Sequence, residues 1–312
     1  MIGRGGALCS SPMSYLDRLA ECTAHDLGRF VPWQVQGAHA GLVRRDLLPY
    51  LLETRDGQGR AVFLLDGDPD GGGDAPSAVL RMAEHLADFD ARSAALTPLV
   101  RRLENAGLLV APANGEMYPV ADHHEAEPWL QLERAAMPSL GSRAYGVHLH
   151  GYVRKADGLH MWIGRRSRHK TTHAGQLDNM VAGGQPLGLT PDENMVKECG
   201  EEAAVPAELA ATAVRTGALR YRVEIEAGLR DDTLWLYDLE LPEDFVPRNT
   251  DGEVEAFELW PLAEVAARVA DTQDFKFNCN LTIIDFLMRH GALGDEHPEF
   301  ADLRAGLTAL PP

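Results

Sequence analysis

A chain of 312 residues, 45% hydrophobic and 24% charged, has enough apolar material for a large core and lacks the composition of a disordered polypeptide. Its 47 acidic against 29 basic side chains give a formal net charge of −18, which argues against nucleic acid as a partner because a phosphate backbone needs a basic face. Cysteines at 9, 22, 199 and 279 are too scattered for a disulfide framework or a zinc finger, and with no secretory-type start and no apolar run of ~20 residues the expectation is a cytoplasmic protein with reduced thiols and no membrane partner.

The first third alternates helical and strand-like patterns. Residues 15–26 and 42–52 have helical spacing, although Pro49 works against the second. Residues 61–65 read as a buried strand, 67–76 as an exposed loop of Gly, Asp and Pro, and 77–88 as helical. Thr97 and Pro98 supply an N-cap and a first helical residue for a helix ending at Gly107. Residues 107–111 and 116–120 then read as a hairpin. After residues 138–142 strands dominate. Tyr145, Val147, Leu149 and Val153 alternate with His148, His150 and Arg154. Further strands are expected at 159–164, 177–181, 219–225 and 233–241. Residues 257–262 lead into a helix through Val269, and 281–290 form a last amphipathic helix. The expected fold class is α+β, with an accessory α+β domain over 1–140 and a second domain over 141–312.

The chemistry concentrates in residues 182–205. A glycine-rich loop with Gly183 and Gly184 leads to a helix with Thr190 as N-cap, Pro191 in the first position and Glu193 three residues on, a capping box. On that helix Glu198, Glu201 and Glu202 occupy i, i+3 and i+4 and so share one face. Acidic helix faces are as a rule solvated. Here the glycine loop, the capped start and the triad together point to a hard divalent cation, Mg²⁺ or Mn²⁺, held by these glutamates and a loop carbonyl such as Ala182.

This composite resembles the Nudix box, a glycine and loop followed by Arg-Glu-x-x-Glu-Glu-x-Gly, with Lys197-Glu-Cys-Gly-Glu-Glu202 as its core. The sequence departs from the pattern at Leu189 for the usual glutamate, Lys197 for the arginine and Ala204 for the glycine. Glu193 and Lys197 are spaced to form a substitute brace, and Gly200 inside the helix suggests close packing against a sheet. Three runs, residues 132–136 with 145–151, residues 177–184, and residues 278–290, resemble a Nudix subfamily with an extra N-terminal domain, whose module is joined to thiamine pyrophosphokinase in fungi. The resemblance implies an αβα sandwich on a mixed sheet, a metal-dependent diphosphatase, and a small-molecule substrate of the oxo- or oxythiamine diphosphate class.

Glu253, with Glu255 and Glu258 nearby, is the candidate distal-loop carboxylate, as ligand or general base. Lys170 ends the basic run 165–170 and is the candidate phosphate contact, against the default of a basic turn. His148 and His150 read as fillers of a polar strand face, and Asp178 and Asn179 as supports of the loop. Trp162, Trp260 and Tyr221 are stacking candidates against a default of core. Two other readings stay open: a hydrolase of nucleoside diphosphate derivatives such as ADP-ribose, and a non-catalytic ligand-binding module. For the N-terminal domain the open roles are shaping the substrate pocket and forming a homodimer interface.

Overall fold

A computed structural model describes residues 14–69 and 78–310; Cys9 and most of the expected loop at 67–76 lie outside them. The chain opens with α1 (Tyr15–Thr23), started by a Ser14/Asp17 capping box. Then β1 (Phe30–Val35) and β2 (Ala38–Arg44) form a hairpin through Gln36 and Gly37, both at positive φ (51° and 83°), the geometry that tight hairpins favour. A short helix α2 (Leu48–Leu52) and strands β3 (Phe63–Gly67) and β4 (Ala78–Met82) follow. These strands make a four-stranded sheet ordered β2-β1-β4-β3, with β1 and β4 parallel. Next come α3 (Phe89–Asn105), the paired strands β5 (Met117–Val120) and β6 (Leu130–Glu133), and α4 (Met137–Leu140).

Several expectations for this region fail, each for a physical reason. Residues 42–44 belong to β2, and only 48–52 are α-helical, with Pro49 in the first turn where its missing N–H costs nothing. Residues 78–82 are strand: Ala78, Leu80 and Met82 are buried alternately, a period of two rather than 3.6. The strand expected at 61–65 is real but lies at the sheet edge, with Leu64 exposed. Helix α3 starts at Asp88, whose carboxylate accepts the Ala91 N–H at 2.8 Å, so Pro98 lies inside it. The partner of 117–120 is β6, whereas residues 107–111 form no strand: Gly107 and Leu108 close the end of α3, and the Val110 N–H bonds the Ala135 carbonyl.

The second half matches expectation more closely. Strands β7 (Arg143–Lys155), β8 (Gly158–Arg166), β9 (Leu177–Asp178) and β10 (Val181–Gly184) precede helix α5 (Pro191–Ala203) and a short α6 (Ala207–Ala210). Then come β11 (Val214–Ile225), β12 (Gly228–Glu240), β13 (Val254–Pro261), α7 (Leu262–Asp271), α8 (Phe277–Arg289) and α9 (Phe300–Leu307). The mixed sheet runs β11-β12-β7-β8-β13, with β10 on β7 and β9 on β8; β12 and β7 are parallel. Val147 and Leu149 face α5 in one apolar cluster, whereas Ile163, Leu236, Ile284 and Leu287 lie in another with α7, α8 and α9. The result is an αβα sandwich.

Helix α1 precedes the first sheet in the chain yet packs with the second. Tyr15 and Cys22 lie in the cluster of α7 and α8, and Tyr15 Oη donates to the Ala266 carbonyl at 3.1 Å. No helix among the described residues is long and apolar enough to cross a membrane.

Candidate active site

Helix α5 begins as its residues dictate. Thr190 Oγ1 accepts the Glu193 N–H (3.3 Å), and Glu193 Oε2 accepts the Thr190 N–H (2.9 Å). Glu193 is therefore committed to the cap, and the expected Glu193–Lys197 brace does not form. Asn194 Nδ2 donates to the Gly184 carbonyl at 2.8 Å, which ties the loop to the helix. Met195, Cys199 and Ala203 seat the helix on the sheet. Gly200 is exposed, and a Cβ there would meet nothing, so close packing does not explain it. The helix ends at Ala204 in the left-handed conformation (φ 54°, ψ 32°), where the resemblance expected glycine.

The glutamates of the triad differ sharply. Glu202 is 6% exposed, and its Oε2 accepts the Ala182 N–H at 2.9 Å, joining α5 to β10. Burial pushes its pKa well above the carboxylate norm; the Ala182 bond opposes that, and the charges of Glu198, Asp178 and Glu253 add to it. Glu198 is half-buried against Gly183, where a Cβ would fall 2.2 Å from its carboxyl carbon. Its pKa is also raised, by burial first, with Lys197 pulling it back. Glu201 is exposed. Lys197 Nζ bridges it at 2.6 Å and Glu198 at 3.1 Å, so the lysine neutralises the acidic face itself.

The glycine pair makes room for side chains. Gly183 admits Glu198, and Gly184 admits Tyr118, whose hydroxyl would lie 1.4 Å from an added Cβ. Both glycines are in strand, opposite Val147 and Gly146, rather than in a free loop. Glu202, Glu253 and Ala182 line one small cavity with Gly164, Arg166, Asp178, Asn179 and Val254. Lys170 Nζ meets Glu253 Oε2 at 2.6 Å, so two candidates chosen separately form one ion pair. Glu255 and Glu258 pair instead with Arg168 and Arg165.

The residues fit a hard divalent cation at Glu202. A buried carboxylate is gathered with other carboxylates that raise its proton affinity, and its donors are oxygens. Among the described residues, the one group of potential ligand atoms already within 4.8 Å of one another is His148, Asp178 and Cys279. It suits a divalent ion poorly. Asp178 is paired with Arg166 (2.8 Å) and Lys276 (3.8 Å), and the buried Cys279 thiol, its pKa raised well above normal by burial and Asp178, donates to Asp178 at 2.7 Å. His148 bonds Asn179 Oδ1 at 2.7 Å through Nδ1, and His150 meets Asp238 at 3.2 Å, so both fill the polar face as expected. Trp162, Trp260 and Tyr221 are buried; Tyr221 Oη donates to Asp232 at 2.8 Å.

Sequence reasoning missed the reach of the β5–β6 hairpin to this site through Glu116, Tyr118 and Arg134. The run 132–136 was visible, but its spatial neighbour was not.

A capped acidic helix packed beside a glycine-bearing strand gathers carboxylates suited to a hard divalent cation. Residues 14–144 match the family described as "Domain of unknown function (DUF4743)". The chain is 37% identical over 306 residues to "Nudix hydrolase 20, chloroplastic" of Arabidopsis thaliana, covering 96% of this chain and 79% of that protein. It is also 37% identical over 291 residues to "Nudix hydrolase 24, chloroplastic" of the same plant, covering 93% and 76%. Among solved structures, DR0079 from Deinococcus radiodurans aligns with a TM-score of 0.42 at 21% identity, over 54% of this chain and 97% of that one. The chain belongs to the Nudix hydrolases.

Proposed function

We propose that the protein hydrolyses diphosphates of thiamine analogues, oxo- or oxythiamine diphosphate, to the monophosphate and phosphate. The observation that carries the site is the buried carboxylate of Glu202 gathered with Glu198 and Glu253 beside the glycine strand. The three sequence runs that resemble the thiamine-related subfamily support the substrate. In this reading Glu198, Glu201 and Glu202, with the Ala182 carbonyl, hold Mg²⁺ or Mn²⁺. When bound, the ion neutralises the diphosphate and lowers the pKa of a water.

The chain's own residues do the rest. The Ala182 N–H fixes the orientation of Glu202. Lys197 spans Glu198 and Glu201 and keeps their mutual repulsion low. Glu253 lines the same cavity as Glu202 as the candidate base, its charge balanced by Lys170. Gly183 lets the Glu198 carboxyl approach the strand backbone. Water adds to phosphorus, the P–O bond of the bridging oxygen breaks, and the water's proton goes to the base.

Phosphate release from oxythiamine diphosphate, thiamine diphosphate and ADP-ribose with Mg²⁺ tests the substrate, with a coupled phosphatase for ADP-ribose. Preference for the oxythiamine compound is the expected result. Preference for ADP-ribose replaces the substrate class and leaves the site assignment standing. Binding without turnover on any compound replaces the enzyme reading with a ligand-binding one.

A further inference from the structure

We propose that the N-terminal module completes the active site: Arg134, assisted by the Tyr118 hydroxyl, binds the non-bridging phosphate oxygens of the substrate. The proposal rests on the diphosphate reading above. Lys197 is held by Glu198 and Glu201, Lys170 by Glu253, and Arg166 and Lys276 by Asp178. A diphosphate arriving at so acidic a centre needs positive charge that is not already spent.

Arg134 supplies it. Its side chain is 53% exposed, and Nη1 donates to Glu116 Oε2 at 2.8 Å. Its Nε and Nη2 have no hydrogen-bond partner among the described residues. The guanidinium lies 5.8 Å from the centroid of the Tyr118 ring, within cation–π reach. Tyr118 is 3% exposed, with its hydroxyl against the Gly184 backbone and no partner among the described residues. A buried hydroxyl without a partner is costly and rare, and this one lies against the strand that carries Gly183 and Gly184. The Leu187 N–H bonds the Met117 carbonyl at 3.3 Å, which fastens the hairpin to the glycine segment. Arg134 also lies within electrostatic reach of Glu253, and Tyr118 of Glu198. The hairpin thus holds a partly uncommitted arginine fork beside the glycine strand, with a buried, unpartnered hydroxyl behind it, a donor set suited to phosphate oxygens.

The test is calorimetric binding of methylenediphosphonate with Mg²⁺ to wild type, Arg134→Ala, Arg134→Lys and Tyr118→Phe, with steady-state kinetics on the substrate that wild type turns over. Arg134→Ala is expected to weaken binding and raise KM roughly 10- to 100-fold, with kcat changed much less. Arg134→Lys recovers part of the loss, added guanidinium ion recovers part of it in the alanine variant, and Tyr118→Phe loses a few-fold. The melting temperature controls for damage to the hairpin. Equal affinity in wild type and Arg134→Ala, or no binding by wild type, overturns the proposal. A wild type that binds methylenediphosphonate but hydrolyses nothing defeats the hydrolase reading instead, and the affinity ratio still decides the role of Arg134.

Discussion

The two halves of the molecule bury different things. The core around the four-stranded sheet is almost wholly apolar, from Trp33 and Leu47 to Leu99 and Leu103. Arg92 and Glu133, buried beside it, are satisfied by backbone groups: Arg92 by the Leu86 and Ala87 carbonyls, Glu133 by the Asn114 and Gly115 N–H groups; the Tyr118 hydroxyl, toward the site, is not satisfied. The αβα half buries His148, Asp178, Glu202, Asp231, Asp238 and Asn280 among its strands and helices. Desolvated charge weakens a fold unless it is paired; Asp178, Asp231 and Asp238 are paired with arginines, whereas Glu202 has only the Ala182 N–H, and it is there that stability is exchanged for chemistry. The first half is a packing scaffold that lends a hairpin to the site; the second holds the acids.

The comparison can be broken by mutation. Leu99→Ala, in the middle of α3 and fully buried, is expected to cost about 3 kcal/mol in urea unfolding while kcat of the folded fraction stays unchanged. Loss of kcat at a temperature where the variant is folded would show that the scaffold does more than pack. In the other half, Mg²⁺ should raise stability by about 2.7 kcal/mol at a hundred times its Kd. The rise should shrink sharply in Glu202→Gln, and without metal that variant should melt above wild type at pH 8, because an isosteric amide removes a buried charge whose pKa is raised.

A third effect is set by pH. Burial, seconded by Lys276, lowers the His148 pKa to about 4. The unfolded chain therefore takes up a proton at this position near pH 6.5 that the folded chain refuses until about pH 4. Stability from this residue is complete above pH 6.5 and is lost as pH falls, by about 2 kcal/mol at pH 5. In metal-free buffer His148→Gln should show a shallower decline between pH 7 and 5 than wild type; parallel curves would contradict the assignment. The smallest effect is at the end of α5. Ala204 sits in left-handed conformation, so Ala204→Gly is expected to add about 0.5 kcal/mol without altering KM.

How much of this was legible in the sequence follows the same division. Thr190, Pro191 and Glu193 announced α5 because capping is local chemistry, and the alternation from Tyr145 to Val153 announced β7 because one strand serves two different faces. In the scaffold, residues 78–82 were misread because five residues carry too little pattern to separate strand from helix. Thr97-Pro98 outweighed Asp88 as a start signal although alanine-rich helix propensity runs through 91–96. The acids of α5 and their positions could be named from spacing. Their inequality could not, because it depends on the strand N–H that meets Glu202 and on Lys197 turning to Glu198 and Glu201 rather than to Glu193. The join between Tyr118 and Gly184 links residues 66 positions apart and leaves no local trace beyond a glycine.

The central claim is that the buried acid of α5 makes this chain a diphosphate hydrolase. The most direct measurement is Mg²⁺-dependent phosphate release by wild type and Glu202→Gln, side by side, on the best substrate of the panel, each shown to be folded by its melting curve. The account predicts robust turnover by wild type and a kcat lower by roughly 1000-fold in the variant, the loss of several kcal/mol of transition-state stabilisation. Equal turnover by the two proteins would place the chemistry elsewhere and contradict it.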